Sequence, residues 1–221
     1  MQGRAYSLPP IDDLMDLFEH LHDPTNNLLP YEGEVYYHGL VMSSKEADHY
    51  LHLLLNSLDW QPDQAKIMGK VITTRRRIAW YGSQPFSYTY SGITKTAWPW
   101  TDALLQLKQM VEACTDVNYN SCLVNLYHDG QDGMAYHSDG EMDLLHHGTI
   151  ASLTLGAERR FVFKHKRRQD KVELILAHGS LLTMAGSTQD NWLHRLPQVA
   201  GVTQPRVNLT FRTIVSNKGL A

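Results

Sequence analysis

The chain predicts an α+β fold in which two helices lead into a long run of antiparallel strands that close as a β-sandwich or barrel. Three observations carry this expectation. Apolar residues recur at helical spacing twice before residue 118. After that point the chain reads as strand following strand, at 121–127, 149–155, 160–166, 171–177, 180–185 and 206–215. No internal repeat or low-complexity segment interrupts the series. A double-stranded β-helix (jelly roll) fits this strand count.

Taken in order, Ser43 and Ser44 open the first helix, which runs to about Leu58 with Ala47, Tyr50, Leu51, Leu54 and Leu58 on its apolar face. Gln64 to Arg77 reads as a hairpin around Gly69, and Pro85 to Tyr90 as a further strand. Thr101 caps a second helix from Asp102 to about Cys114, with Leu104, Leu105, Lys108 and Val111 at helical spacing. The expected organisation is an acidic N-terminal extension (1–40), a region of helices and hairpin (41–118) and a β-rich core (119–221). The last two form one domain.

Composition narrows the class. The 221 residues suffice for a sizeable core. No run of about eighteen apolar residues exists to cross a membrane, and Met1 to Ser7 lacks the apolar run of a secretory signal. The two cysteines, Cys114 and Cys122, are expected as small buried apolar residues, which suits a reducing intracellular compartment and excludes a zinc site built on cysteines. Net charge is −3, but it is unevenly spread. Between Ala5 and Ser44 there is no Lys or Arg, against seven acids: Asp12, Asp13, Asp16, Glu19, Asp23, Glu32 and Glu34. A weak amphipathic turn of Leu14, Leu17, Phe18 and Leu21 could dock this segment. From Lys45 onward the chain is slightly positive, and local field rather than net charge steers a polyanion.

The chemistry is concentrated late in the chain. His137 and Asp139 stand two apart, so a strand would aim them the same way, and His194 follows far downstream. Two imidazoles and one carboxylate cap one face of an octahedral metal, the non-haem Fe(II) oxygenase arrangement, although zinc hydrolases use the same donors. Along 206–212, Val207, Leu209 and Phe211 share one face, and Arg206, Asn208, Thr210 and Arg212 share the other. That polar stripe lines either a ligand-filled cavity or, on an edge strand, open solvent. Upstream, Asn125 and Tyr127 also share a face. Two arginines on one interior strand would clamp a dicarboxylate, which a hydrolase does not need.

Asn125-x-Tyr127, His137-x-Asp139, His194 and Arg206-Val207-Asn208-Leu209-Thr210-Phe211-Arg212 resemble the AlkB family of Fe(II)- and 2-oxoglutarate-dependent dioxygenases, in its DNA-alkylation-repair branch. The blocks 151–156, 160–166 and 176–182 resemble it too, and the likeness runs from about residue 64 to 215. The resemblance implies a double-stranded β-helix core with N-terminal helices and a nucleotide-recognition hairpin lid. It implies His137, Asp139 and His194 as iron ligands. Arg206, Asn125 and Tyr127 would hold the distal carboxylate of 2-oxoglutarate, and Arg212, with Asn208 alongside, would lie near its metal-bound end. The implied reaction is oxidative demethylation of 1-methyladenine and 3-methylcytosine in DNA with Fe(II), 2-oxoglutarate and O2, yielding succinate and formaldehyde.

Residues 64–77 hold five bases and no acid, with the apolar turn Ile67-Met68-Gly69 between Lys66 and Lys70. This suits a wedge into a base stack; an ordinary solvated hairpin is the alternative. A second basic cluster, Lys164, Lys166, Arg167, Arg168 and Lys171, either grips a backbone or is a solvated loop. A base brought to the metal must leave its stack, so an aromatic pocket is expected. Phe86, Tyr88 and Tyr90 share a strand face, and the resemblance places Tyr90 against the flipped base with Tyr88 and Ser91 nearby. Glu141 matches a position that reads an exocyclic amine. Ser138 and Gly140 depart from the family, and His146 and His147 are read as loop residues.

An RNA demethylase, a protein hydroxylase or a non-catalytic nucleic-acid-binding module remain as alternatives. The expected state is a monomer, intracellular: cytoplasmic in a bacterium, nuclear in a eukaryote. No localisation run stands out beyond Arg75-Arg76-Arg77.

Overall fold

In the computed structural model, residues 23–67, 70–90, 93–141 and 143–215 are described. The amphipathic turn expected around Leu14–Leu21, the hairpin tip Met68-Gly69 and Ser91 fall outside them. The chain runs β1 (Glu34–Leu40), α1 (Ser44–Ser57), β2 (Gln61–Ile67), β3 (Lys70–Gly82), β4 (Ser87–Tyr90), β5 (Ile93–Thr96), β6 (Trp98–Pro99) and α2 (Asp102–Thr115). It continues β7 (Ser121–Tyr127), β8 (Met134–His137), β9 (Ile150–Gly156), β10 (Arg159–His165), β11 (Lys171–Leu176), β12 (Ser180–Ala185), α3 (Thr188–Asn191), β13 (Trp192–Leu196) and β14 (Arg206–Arg212).

Both long helices start where their caps dictate. Ser43 Oγ accepts from the Glu46 amide at 3.3 Å while Glu46 Oε2 accepts from the Ser43 amide at 2.9 Å, a reciprocal capping box. Thr101 Oγ1 accepts from the Leu104 amide at 3.3 Å. The buried face of α2 is Ala103, Leu104, Leu107 and Val111. Leu105 and Lys108, expected there, lie outside it: Leu105 is exposed and Lys108 pairs with Glu112 at 2.7 Å. Cys114 is exposed on α2, against expectation; Cys122 is buried.

The strands form a jelly roll. The major sheet has the order β1-β12-β9-β14-β7-β3-β2, with β6 beside β3, and the minor sheet has the order β11-β10-β13-β8. All pairs are antiparallel except β3–β6. One core lies between the helices and the outer face of the major sheet, where Leu54, Leu104, Leu107 and Val111 meet Val124, Leu153, Val207, Leu209 and Phe211. A second unites Val35, Phe163, Leu182 and Trp192. Each fully buried Leu or Phe contributes about 1.5–3 kcal/mol, so the helices are held by packing rather than propensity.

The expected extension 1–40 gives up its end to the fold. β1 pairs with β12, and Leu29, Val35 and Tyr37 are buried. The acids around these residues disguised a strand whose inward positions are apolar or small. Before β1, Trp192 Nε1 donates to the Tyr31 carbonyl at 3.1 Å, and Glu32, at φ 48°, meets the buried His165 Nε2 at 2.8 Å.

Candidate active site

β14 settles the choice between cavity and solvent. It lies in the middle of the major sheet, between β7 and β9, and Arg206, Asn208 and Arg212 on its polar face are only 2%, 8% and 6% exposed. The polar stripe therefore faces the interior of the roll. Arg206 registers with Tyr127, and Asn208 with Asn125. Arg206 Nη2 donates to Thr154 Oγ1 at 2.8 Å and to Asn208 Oδ1 at 2.7 Å, and its guanidinium lies 5.4 Å from the centre of the Tyr127 ring. Ser152 Oγ also donates to Asn208 Oδ1 at 3.0 Å. Asn208 is thus committed to Arg206, whereas the resemblance set it beside Arg212.

Burial lowers the Arg206 guanidinium to about 10, still charged at neutral pH. Among the described residues no carboxylate pairs with it, and its Nε is buried without a partner. A buried cation without a counter-ion is costly, so this is a site in want of an anion. Arg212 differs: its Nη1 bonds Glu141 Oε1 at 3.0 Å, while its Nε is buried and unpartnered. Glu141, expected to read a base, is in this state engaged by Arg212.

The minor sheet supplies the rest. His137 on β8 and His194 on β13 are register partners across two antiparallel strands, with ring centroids 4.2 Å apart. Asp139 lies beyond the end of β8, so strand alternation is not what aims it. Its amide donates to Gln189 Oε1 at 2.9 Å, which ties it to α3. His137 Nε2 lies 3.8 Å from Asp139 Oδ1, and His194 Nε2 lies 4.0 Å from Oδ2. The three ligand atoms all fall within 4.8 Å of one another.

The donors fit a divalent metal on two counts. His137 Nδ1 lies 2.9 Å from the Ala135 carbonyl, which can only accept, so Nδ1 carries the proton and Nε2 keeps its lone pair. Burial pushes the His194 imidazole down to about 4, so it is neutral at neutral pH, and Phe161 stacks on it at 5.4 Å. For Asp139, burial pushes upward, but His194, Arg212 and His137 outweigh it and hold the carboxyl below its ordinary value. Asp139, Glu141, Gln189 and Arg212 share the lining of one cavity of about 240 Å³.

Several contributors were missed by sequence reasoning. Gln189 lies in no motif, and Phe161, inside the block 160–166, was given no role. Thr154 and Ser152 are legible only once β9 is known to neighbour β14. Arg159 is 2% exposed and donates to the carbonyls of Asp129, Asp132 and Pro197, bracing loops at one end of the roll.

Other expectations fare unevenly. β2 and β3 form the expected hairpin, and Ile67 ends its first strand. Of its bases, Arg75 is paired to Asp129 at 2.9 Å and Arg76 to Asp63 at 2.6 Å, so both are engaged within the protein. Tyr88 and Tyr90 lie in β4, paired with β5. In the second basic cluster, Arg168 stacks on Tyr31 at 4.3 Å, Arg167 lies 3.7 Å from Glu32, and Lys166 Nζ donates to the Gln189 carbonyl at 2.7 Å.

A jelly roll holding two imidazoles and a carboxylate beside buried arginines defines the class of facial-triad metal oxygenases. Residues 33–212 match the 2OG-Fe(II) oxygenase superfamily. The DNA oxidative demethylase ALKBH2 of Homo sapiens is 40% identical over 163 residues, 70% of this chain and 62% of the relative; that of Bos taurus is 41% identical over 160 residues, covering 69% and 58%. The alpha-ketoglutarate-dependent dioxygenase alkB homolog 3 of Mus musculus is 39% identical over 223 residues, 96% of this chain and 75% of the relative. The chain therefore spans about three fifths of the length of those two ALKBH2 proteins. A solved structure of OsALKBH1 superposes with a TM-score of 0.57 at 14% identity, covering 84% of this chain and 98% of that one, which bears on the fold alone. The chain belongs to the 2OG-Fe(II) oxygenase superfamily and, within it, to the AlkB family.

Proposed function

We propose that the protein is an Fe(II)- and 2-oxoglutarate-dependent dioxygenase that demethylates N-alkylated bases in DNA, 1-methyladenine and 3-methylcytosine first among them. The observation that carries this reading is the buried Arg206, which no carboxylate pairs among the described residues, in the same roll as the His137–Asp139–His194 triad. A hydrolytic zinc site would leave that cation unexplained. The DNA substrate is supported by relatives whose name is DNA oxidative demethylase.

When bound, iron with 2-oxoglutarate and O2 supplies the oxidant that hydroxylates the N-alkyl carbon, which then leaves as formaldehyde. The protein's own groups do the rest. His137, Asp139 and His194 are assigned as the metal ligands, with the Ala135 carbonyl fixing the His137 tautomer and Gln189 holding the Asp139 backbone. Arg206, Asn125, Tyr127 and Asn208 are assigned to the distal carboxylate. Arg212 is assigned to the end nearer the metal, and its release from Glu141 would free that carboxylate to accept from the exocyclic amine of the base. Ile67, Met68 and Gly69 are assigned to the duplex, and Tyr88, Tyr90 and Ser91 to the flipped base. The proposed working unit is a monomer, cytoplasmic in a bacterium and nuclear in a eukaryote. Among the described residues no helix is long and apolar enough to cross a membrane.

The test is anaerobically prepared protein given Fe(II), ascorbate, 2-oxoglutarate and 1-methyladenine in matched single- and double-stranded DNA and in RNA. Mass spectrometry follows the methyl group, with His137→Ala and Arg212→Ala as controls. Demethylation of DNA that requires both iron and 2-oxoglutarate is expected. Succinate without demethylation would reject the substrate, and preferential turnover of RNA would move the assignment to an RNA demethylase.

A further inference from the structure

The loop after Asp139 and helix α3 carry the triad's donor set a second time. His146, His147 and Asp190 each offer one ligand atom, all within 4.8 Å of one another and all on exposed residues. His147 Nε2 lies 2.7 Å from Asp190 Oδ2, and His146 Nε2 lies 3.9 Å from the same oxygen. Two donors on one zinc ion stand about 3.3 Å apart, given bonds of roughly 2.0–2.1 Å and tetrahedral angles. The observed separations straddle that value.

Adjacent side chains ordinarily diverge, yet these two rings stack, with centroids 3.8 Å apart and 27° between planes. The backbone makes this possible: His147 adopts φ 59°, a left-handed conformation unusual for a side-chain-bearing residue, and the turn closes with the Gly148 amide on the Leu145 carbonyl at 2.9 Å. Strain of this kind concentrates at functional positions. Asp190 Oδ2 is the oxygen that His147 engages. Lys166, the cation that could compete for it, instead bonds the Gln189 carbonyl and Ser138 Oγ.

We propose that His146, His147 and Asp190 form a second, solvent-facing site for a divalent transition metal in the lining of the cavity that Asp139 and Arg212 also line. Imidazole donors select zinc or a similar borderline ion over magnesium or calcium, with water completing the shell. An ion there would fasten residues 143–149 to α3, whose Gln189 holds Asp139. It would therefore tie this part of the cavity lining to the position of a triad residue. The proposal stands independently of the reaction assigned above.

Metal-stripped full-length chain dialysed against zinc chloride, with bound zinc counted by atomic spectrometry and folding checked by circular dichroism, tests it. Two equivalents are expected. The double substitution His146→Ala/His147→Ala should shed one, His137→Ala/His194→Ala the other, and the exposed His49→Ala neither. Asp190→Asn, which keeps both imidazoles, should weaken one equivalent by about tenfold or more, since loss of even an outer partner of a metal ligand costs that much. One equivalent in the unaltered chain, lost only with His137 and His194, would overturn the second site and leave the first intact. Two equivalents retained by His146→Ala/His147→Ala would also overturn it.

Discussion

The two faces of β14 are almost equally buried and owe their burial to opposite causes. On the outer face Val207, Leu209 and Phe211 pack against helices and are satisfied by what touches them. On the inner face Arg206, Asn208 and Arg212 are nearly as hidden, yet hold two guanidinium groups whose Nε atoms lack partners among the described residues. Burial alone therefore does not separate core from site. The separation lies in whether the protein supplies every partner that a buried group requires.

The largest effects should come from breaking the cavity that the inner face lines and the core that the outer face builds, one at a time. His137→Ala removes a proposed metal ligand that is partly exposed, so oxidative turnover should vanish while the thermal midpoint hardly moves; retained turnover would end the triad assignment. Phe211→Ala should do the reverse. It opens a cavity against Tyr119 and the helices and should cost about 3–5 kcal/mol in urea unfolding, with the 2-oxoglutarate KM of the folded fraction unchanged.

Arg206→Met sharpens the contrast further. Charge-assisted hydrogen bonds contribute about 1.5–3 kcal/mol, so the KM for 2-oxoglutarate should rise on the order of 10–100-fold. Stability without co-substrate should stay level or improve, because an unpaired buried charge is gone. A large loss of stability would show that Arg206 is structural. Arg206→Lys should rescue poorly, since an ammonium lacks the planar fork.

The smallest effect lies on the apolar face and is read by pH. Burial raises the Tyr119 phenol to about 12, its hydrogen bond to Thr115 Oγ1 opposing that rise only in part. The folded state thus keeps its proton where the unfolded chain, near pH 10, begins to lose it. Stability from this group is full below about pH 10 and declines as pH rises towards 12. Tyr119→Phe should flatten the alkaline limb of the stability profile, measured between about pH 9 and 11; an unchanged slope would remove Tyr119 as its cause.

Most of the fold was legible because periodicity marks a face. The alternation in 206–212 and 121–127, and the caps at Ser43 and Thr101, were visible as written. The strands that bring the histidines together were not. β8 is four residues long, and β13 alternates Trp192, His194 and Leu196, an inward set interrupted by a polar ring. Short strands that aim polar groups inward break the pattern that identifies a strand. Asp139 was found by motif and misjudged by geometry, since its place depends on Gln189, fifty residues away. The basic hairpin read as free charge because its acidic partners, Asp63 and Asp129, lie outside the run of bases or far along the chain.

β14 also sets a timetable. It is the innermost of its neighbours in space, yet every element from β1 to β13 precedes it in the chain. As the polypeptide leaves the ribosome, β7 and β9 wait with open edges until Arg206–Arg212 arrives to join them. A nascent chain can hold all three triad residues and still lack the strand that closes the roll. Such an intermediate lacks the arginine pair proposed to hold the co-substrate. The proposed clamp follows the proposed metal ligands along the chain, so a product stalled before Arg206 would carry the ligands without it.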